Sequence, residues 1–244
     1  MNQQISCTDC PLRKSGAFSA TSAEEIEFIQ SIRQRQMQVR AGHGIMREGD
    51  ASSTLYTLLS GWAFRYRTLN DGRRQIFNFL LPGDFIGLQH QLGQASPHGV
   101  EALTDATLCA FPNERLWDIY RSHPGLGFDI TWLCAHEELI VDENLLSVGR
   151  RSATERIAML LIHLYKRAES VGLGGPDGVP FPLIQQHIAD ALGLSLVHTN
   201  KTLKRLQAMG LYTLGNGRLK LTHPAAMARL ADYYAMPLRA RPLI

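Results

Sequence analysis

Two groups of residues in this sequence have types and spacings suited to chemistry. One is Cys7-Thr8-Asp9-Cys10, whose two thiols can work as a redox pair, as metal ligands or as packed side chains; Cys109 and Cys134 are the other cysteines. The second is Ala189–Gly210, read as ADALGLSLVHTNKTLKRLQAMG. Here Val197, Lys201 and Lys204 recur at the spacing of one helix face, with His198, Asn200 and Arg205 nearby. Such a face is polar, basic and short enough for a DNA major groove, where cationic donors meet phosphates and the O6 and N7 atoms of guanine. An ordinary amphipathic helix with a solvated basic side has the same pattern.

The local elements needed to position that face can be read around it. Gly193 supplies a turn through the left-handed region, and Ser195 stands at a helix N-cap. Thr199, Leu203 and Leu206 fall on the opposite, packing face, and Ser195 and Leu196 open the helix toward solvent. Gly210 closes the helix. Leu211–Leu214 then reads as a strand, Gly215-Asn216-Gly217 as a tight turn and Arg218–Leu221 as the returning strand, giving a helix-turn-helix with a wing. From Phe181 to His223 the basic residues Lys201, Lys204, Arg205, Arg218 and Lys220 face one acid, Asp190. That local charge of +4 compares with +3 for the whole chain, so positive charge is concentrated where phosphates would be met.

At 244 residues and 45% hydrophobic, the chain has room for two modest domains. No run approaches the roughly 20 apolar residues of a membrane span, and MNQQISCTDC has no apolar signal region, so a cytoplasmic protein is expected. Four cysteines are too few for a disulfide scaffold. Residues 1–20 read as a flexible segment, followed by a helix start with a capping box from Thr21 to Glu24 or from Ser22 to Glu25. From Ile45 to about Phe111 short strands alternate with glycine turns. Trp62, Phe64, Tyr66 and Thr68 share one strand face, Asn70-Asp71-Gly72 turns the chain, and Gln75, Phe77, Phe79 and Leu81 share a face of the return strand. Further turns at Pro82-Gly83-Asp84 and Ser96-Pro97-His98-Gly99 suggest a small antiparallel roll or barrel over 21–122.

Residues 123–150 read as one long helix. Ile130, Leu133, Ile140, Val141, Leu145 and Val148 follow helical spacing, with Glu137 and Asn144 interrupting the stripe. Gly149 is expected to break this helix, and Ser152-Ala153-Thr154-Glu155 to cap the next, Arg156–Arg167, which places a hinge at Gly149–Ser152. Gly172–Pro180 reads as a linker within a DNA-binding domain over 151–235, and 236–244 as a tail.

Glu48-Gly49-Asp50, Leu58-Leu59-Ser60-Gly61, Asp71-Gly72-Arg73 and Leu81-Pro82-Gly83-Asp84-Phe85-Ile86-Gly87 look like successive turns of a cyclic-nucleotide-binding β-roll. With the distal winged helix-turn-helix, their order resembles the Crp/Fnr family of bacterial transcription regulators across nearly the whole chain. The resemblance implies an α+β protein: an N-terminal antiparallel β-roll, a double-stranded β-helix, then a long dimerisation helix and a C-terminal winged helix-turn-helix. It also implies a homodimer on a palindromic operator, with RNA polymerase as a further partner and a sensor roll coupled to the reader. Ser195, Leu196, Val197, His198, Asn200, Lys201, Lys204, Arg205 and Arg218 are the DNA-facing candidates. Lys201 matches the family's base-contacting position, and Lys204 and Arg218 suit phosphates. Val197 stands where the family's glutamate accepts from cytosine N4, so the operator is expected to differ from the TGTGA-type half-site. Ile184 replaces a usual helix-capping hydroxyl.

The resemblance also sets candidates for an effector. Gly87, Leu88, Gln89, His98, Gly99, Val141 and Asp142 occupy the positions that border the nucleotide in cyclic-AMP-binding members. Leu88 and Gln89 replace the ribose-binding glutamate, and Pro97-His98-Gly99 lacks the phosphate-binding arginine, so cyclic AMP is not expected to bind. Cys7, Cys10 and Cys109 match three of the four thiolates that hold the iron–sulfur cluster of the Fnr branch; nothing between Pro11 and Phe18 supplies the missing one, which leaves Asp9, a histidine or Cys134 to complete it. A haem held through His90 or His98, a thiol switch at Cys7 and Cys10, an unidentified small ligand and control by abundance alone remain as alternatives. No nucleophile motif or phosphate-binding glycine loop points to an enzyme. From another class, the winged module could instead dock a protein, leaving a regulatory interaction protein.

Overall fold

The computed structural model describes residues 4–51, 53–89, 95–234 and 240–244. They divide into two units, one formed by residues 1–67, 79–139 and 240–244, the other by 68–78 and 140–239.

The first unit is built from alternating strands that bury apolar side chains on both inner faces. One antiparallel sheet orders β1 (Arg35–Val39), β8 (Ala106–Pro112), β3 (Thr54–Ser60) and β6 (Phe85–Ile86) as β1-β8-β3-β6. The facing sheet runs β2 (Gly44–Met46), β7 (Gly99–Ala102), β4 (Ala63–Thr68) and β5 (Arg74–Leu80) in the order β2-β7-β4-β5, with β5 crossing into the second unit at its start. Leu58, Ala63, Leu80, Ile86, Val100, Leu108 and Ala110 fill the space between the sheets. Each buried aliphatic side chain of this kind contributes roughly 1.5–3 kcal/mol. Gly61 turns β3 into β4 at φ +88°, and a Cβ there would collide with the carbonyl oxygen of Asp105.

The segment expected to be flexible is instead fastened. Helix α1 (Pro11–Lys14) follows Cys10, and Cys7, Leu12 and Phe18 are buried in the first unit. Their apolar area outweighs the polar composition of the segment. Helix α2 (Ala23–Ile32) begins with the second of the two possible capping boxes: the Glu25 amide donates to Ser22 Oγ at 3.2 Å and the Ser22 amide to Glu25 Oε2 at 2.9 Å. The expected tail also departs from its reading. Of 236–244, the residues Ala240–Ile244 pack in the first unit, where Arg241 pairs with the fully buried Asp84 and the Ser19 amide donates to the Arg241 carbonyl at 2.8 Å. Thr57 Oγ1 donates to an Ile244 oxygen at 2.7 Å, so the last residues complete the roll's core.

After α3 (Leu116–Ser122) comes α4 (Pro124–Arg150), 27 residues long, or about 40 Å at 1.5 Å per residue. Leu126, Ile130, Leu133 and Ile140 are buried, whereas Phe128, Leu139, Val141, Leu145 and Leu146 are exposed. The helix thus carries two apolar faces rather than the single stripe expected. Gly149 does not break it, because a glycine inside a helix costs only about 1 kcal/mol. The chain turns at Arg151 and Ser152 instead. Ser152 caps α5 (Ala153–Ser170) through the expected box with Glu155.

In the second unit, α5 packs with α6 (Gln185–Leu192), α7 (Leu196–Ala208) and α8 (Pro224–Ala231). Gly172–Pro180 is more than a linker: it folds through a turn at Gly175–Gly178 into β9 (Val179–Pro180), the third strand of a sheet ordered β10 (Tyr212–Gly215), β11 (Arg218–Leu221), β9. A Cβ at Gly178 would strike the Leu219 backbone, and φ there is +93°, so glycine is required for that strand to join the wing.

Candidate nucleic-acid interface and sensor sites

The candidate reading face is carried by α7. Gly193 adopts φ +63° and ψ +36°, ending α6 and turning the chain, and Ser195 Oγ then accepts from the His198 amide at 3.2 Å. Thr199 and Leu206 are fully buried, Leu203 nearly so, and Thr202 joins them. This packing fixes the rotation of the helix. Ser195, Leu196, Val197, His198, Lys201, Lys204 and Arg205 are therefore exposed together, with Val197 at 80% exposure. Asn200 is half-buried, and its Oδ1 is enclosed without a hydrogen-bond partner.

The wing follows as read, with Asn216 and Gly217 both at positive φ between β10 and β11. Its basic side chains behave differently from those of α7. Arg218 is half-buried and donates to the Gly178 carbonyl at 2.5 Å, and the Lys220 ammonium donates to the Pro176 carbonyl at 2.9 Å. Both tie the wing to the turn before β9. Tyr212 anchors the other end: its hydroxyl donates to the Leu203 carbonyl at 3.1 Å, and burial pushes its pKa up to about 12.

Helix α6 supports α7 without the usual capping hydroxyl. The Ile184 amide donates instead to Nδ1 of His187 at 3.3 Å. Burial, then the nearby Arg74 guanidinium, lower the His187 pKa, while Asp190 opposes them. A neutral imidazole keeps Nδ1 free as an acceptor. Arg74 and Gln75, which belong to this unit, hold the other end of α6: Arg74 Nε pairs with Asp190 Oδ2 at 3.0 Å and Gln75 Nε2 donates to the Ala191 carbonyl at 3.0 Å. At the turn after α4, Arg151 bonds Ser147 Oγ at 2.7 Å and pairs with Glu143, and its carbonyl accepts from Arg156 Nε at 2.8 Å. The hinge candidates Gly149 and Ser152 thus flank a residue held from both sides.

The effector candidates fall in both units. Gly87, with φ +105°, Leu88, Gln89, His98 and Gly99 belong to the roll; Val141 and Asp142 are exposed on α4 in the second unit. His98 is buried, and Ser96 Oγ donates to its carbonyl at 2.5 Å. A Cβ at Gly99 would strike the Tyr66 ring, so the glycine admits that ring beside β7. His90 lies outside the described residues. The roll's interior also holds a feature that the alternation of β4 conceals. Arg65, which alternates with the Trp62, Phe64, Tyr66 and Thr68 face, is 7% exposed, and its Nη2 lies 2.8 Å from Glu137 Oε2. Its charge is met by a carboxylate of the same unit.

The three cysteines singled out by spacing do meet. Cys7, Cys10 and Cys109 line one pocket with Arg13, Arg33, Gln36 and Ile244. Burial pushes the Cys7 and Cys109 thiols up, with Arg33 opposing in both cases. No histidine or acidic side chain lines the pocket, and among the described residues no group of three or more His, Cys, Asp or Glu side chains is placed to hold a metal ion. The three thiols are one short of the four ligands that an iron–sulfur cluster takes.

Comparison with known proteins is consistent with this arrangement. Residues 36–123 match the family model of the cyclic nucleotide-binding domain, and residues 155–230 that of the Crp-like helix-turn-helix domain. The nitrogen fixation regulation protein FixK of Bradyrhizobium diazoefficiens is 31% identical over 225 residues, 92% of this chain and 93% of its own length. The transcriptional activator protein FnrL of Cereibacter sphaeroides is 29% identical over 215 residues, 87% of this chain and 86% of its own. The solved structure of FixK2 from Bradyrhizobium japonicum aligns with a TM-score of 0.72 at 25% identity, covering 84% of this chain and 98% of that one.

Proposed function

Because the chain belongs to the Crp/Fnr family of transcription regulators, whose members bind DNA, we propose that it acts as a homodimer whose two α7 helices read the half-sites of a palindromic operator. The observation that carries this reading is the division of α7: Thr199, Leu203 and Leu206 are inward, and Val197, Lys201, Lys204 and Arg205 are outward. Lys201 donates to guanine, Lys204 and Arg205 meet phosphates, and Val197 packs on a thymine methyl. Arg218 and Lys220 shape the wing first and meet the backbone from its surface. The exposed apolar face of α4, with Phe128, Leu139, Leu145 and Leu146, supports pairing with a second copy, since exposed side chains of this size on one long helix need a partner.

Among the described residues no helix is long and apolar enough to cross a membrane. The likeness to the regulators FixK and FnrL supports a regulatory role in the cytoplasm, beside RNA polymerase. Selection of sites from random DNA tests the reading: it should return a palindrome whose half-sites differ from TGTGA at the position facing Val197. Recovery of unpaired half-sites, or of TGTGA itself, would overturn it.

A further inference from the structure

Cys7 and Cys10 come from the segment before α1 and Cys109 from β8, about a hundred residues later, yet all three line one pocket of the roll. The segment is pinned there. The Cys7 amide donates to Gln30 Oε1 at 2.7 Å, the Ile5 amide to Gln36 Oε1 at 2.9 Å, and Gln36 Nε2 contacts Cys109 Sγ at 3.7 Å. Cys7 and Cys109 are 7% and 9% exposed, whereas Cys10 is half-exposed. The side chains of Arg13 and Arg33 border the same space. Convergence of three thiols beside two arginines points to chemistry of the thiols themselves.

We propose that this pocket is an oxidation site for small hydroperoxides, in which Cys10 reacts first and Cys109 closes a disulfide with it. The Cys10 thiolate attacks the terminal peroxide oxygen; the O–O bond breaks, and the leaving oxygen takes a proton and departs as water or an alcohol. Cys10 is then a sulfenic acid. The Cys109 thiol loses its proton and attacks that sulfur; the S–S bond forms and hydroxide leaves, reprotonated to water. Two thiols are oxidised and one hydroperoxide is reduced. The product fastens the segment before α1 to β8. It forms in the space bordered by Ile244, where Arg13 Nη2 also donates to the Leu243 carbonyl at 3.1 Å.

The test uses the full chain with Cys134→Ser, which removes the exposed thiol of α4. Reduced protein is treated with hydrogen peroxide, the remaining thiols are alkylated, and peptides are mapped by mass spectrometry without reduction. A Cys10–Cys109 linked peptide, reversed by dithiothreitol and absent in Cys10→Ser, is expected. Persistence of a free Cys109 thiol, through a Cys7–Cys10 disulfide or no disulfide at all, would overturn the proposal. The peptide readout does not depend on DNA binding, so it stands apart from the function proposed above.

Discussion

Replacing Arg65 tests how the roll holds α4. Its side chain is 9% exposed, that of Glu137 is 13% exposed, and the closest atoms are 2.8 Å apart. With charge centres about 4 Å apart and an effective dielectric of about 20, the attraction is about 4 kcal/mol. Arg65→Met keeps the length of the side chain but strands the Glu137 carboxylate, a loss of about 3–5 kcal/mol. Glu137→Leu strands the guanidinium at similar cost. The double replacement buries two apolar side chains instead and should regain most of the loss, because a well-packed apolar pair is often no worse than a buried ion pair. Denaturant unfolding of the four proteins closes a double-mutant cycle. For a chain of this size the single changes should lower the midpoint of thermal unfolding by about 6–20 °C. If either single change costs less than about 1 kcal/mol, or the double costs the sum of both, the pair does not hold β4 to α4.

Three further outcomes follow from the packing. Neutral His187 accepts from the Ile184 amide and its pKa is lowered, first by burial. The stability it gives is present above the ordinary imidazole value of about 6.5 and is lost as pH falls below it; His187→Gln should flatten that loss, and an unchanged acid profile in the variant would count against the cap. Leu206 is fully buried under the reading face, so Leu206→Ala should cost about 2–5 kcal/mol, measured by denaturant unfolding. Leu145, 71% exposed, and Leu139, 51% exposed, should tolerate replacement by aspartate without loss of monomer stability while sedimentation shows the dimer dissociated; a dimer that survives both changes places the interface elsewhere.

Most of the exposed polar face of α7 is visible in the sequence because it depends on local rules. The glycine turn, the Ser195 cap and the 3.6-residue period fix α7 within one segment. Elements that depend on distant partners are less legible. Glu137 and Asn144 look like faults in a dimer stripe; the first pairs with Arg65, and the second donates through Nδ2 to the Phe77 carbonyl at 2.7 Å. Arg65 looks solvated because strand alternation says nothing of an acid arriving from another helix. Asp84 is read only as part of a turn, since its partner Arg241 lies at the other end of the chain. Gly172–Pro180 has linker composition, yet the close approach of Gly178 to Leu219 makes it a strand of the wing. The meeting of Cys109 with Cys7 and Cys10 has a signal only in spacing matched to a family pattern, and the structure adds the two arginine side chains beside them.

The central claim is that the outward face of α7 meets DNA phosphates. The most direct measurement is operator affinity against salt concentration for the natural chain and for Lys204→Ala, whose side chain is exposed and outside the packing of α7. Each phosphate contact contributes about 0.9 to the slope of log affinity on log salt, so with one Lys204 lost from each half of the proposed dimer the slope should be shallower by about 1.8. An identical slope in both proteins would contradict the account.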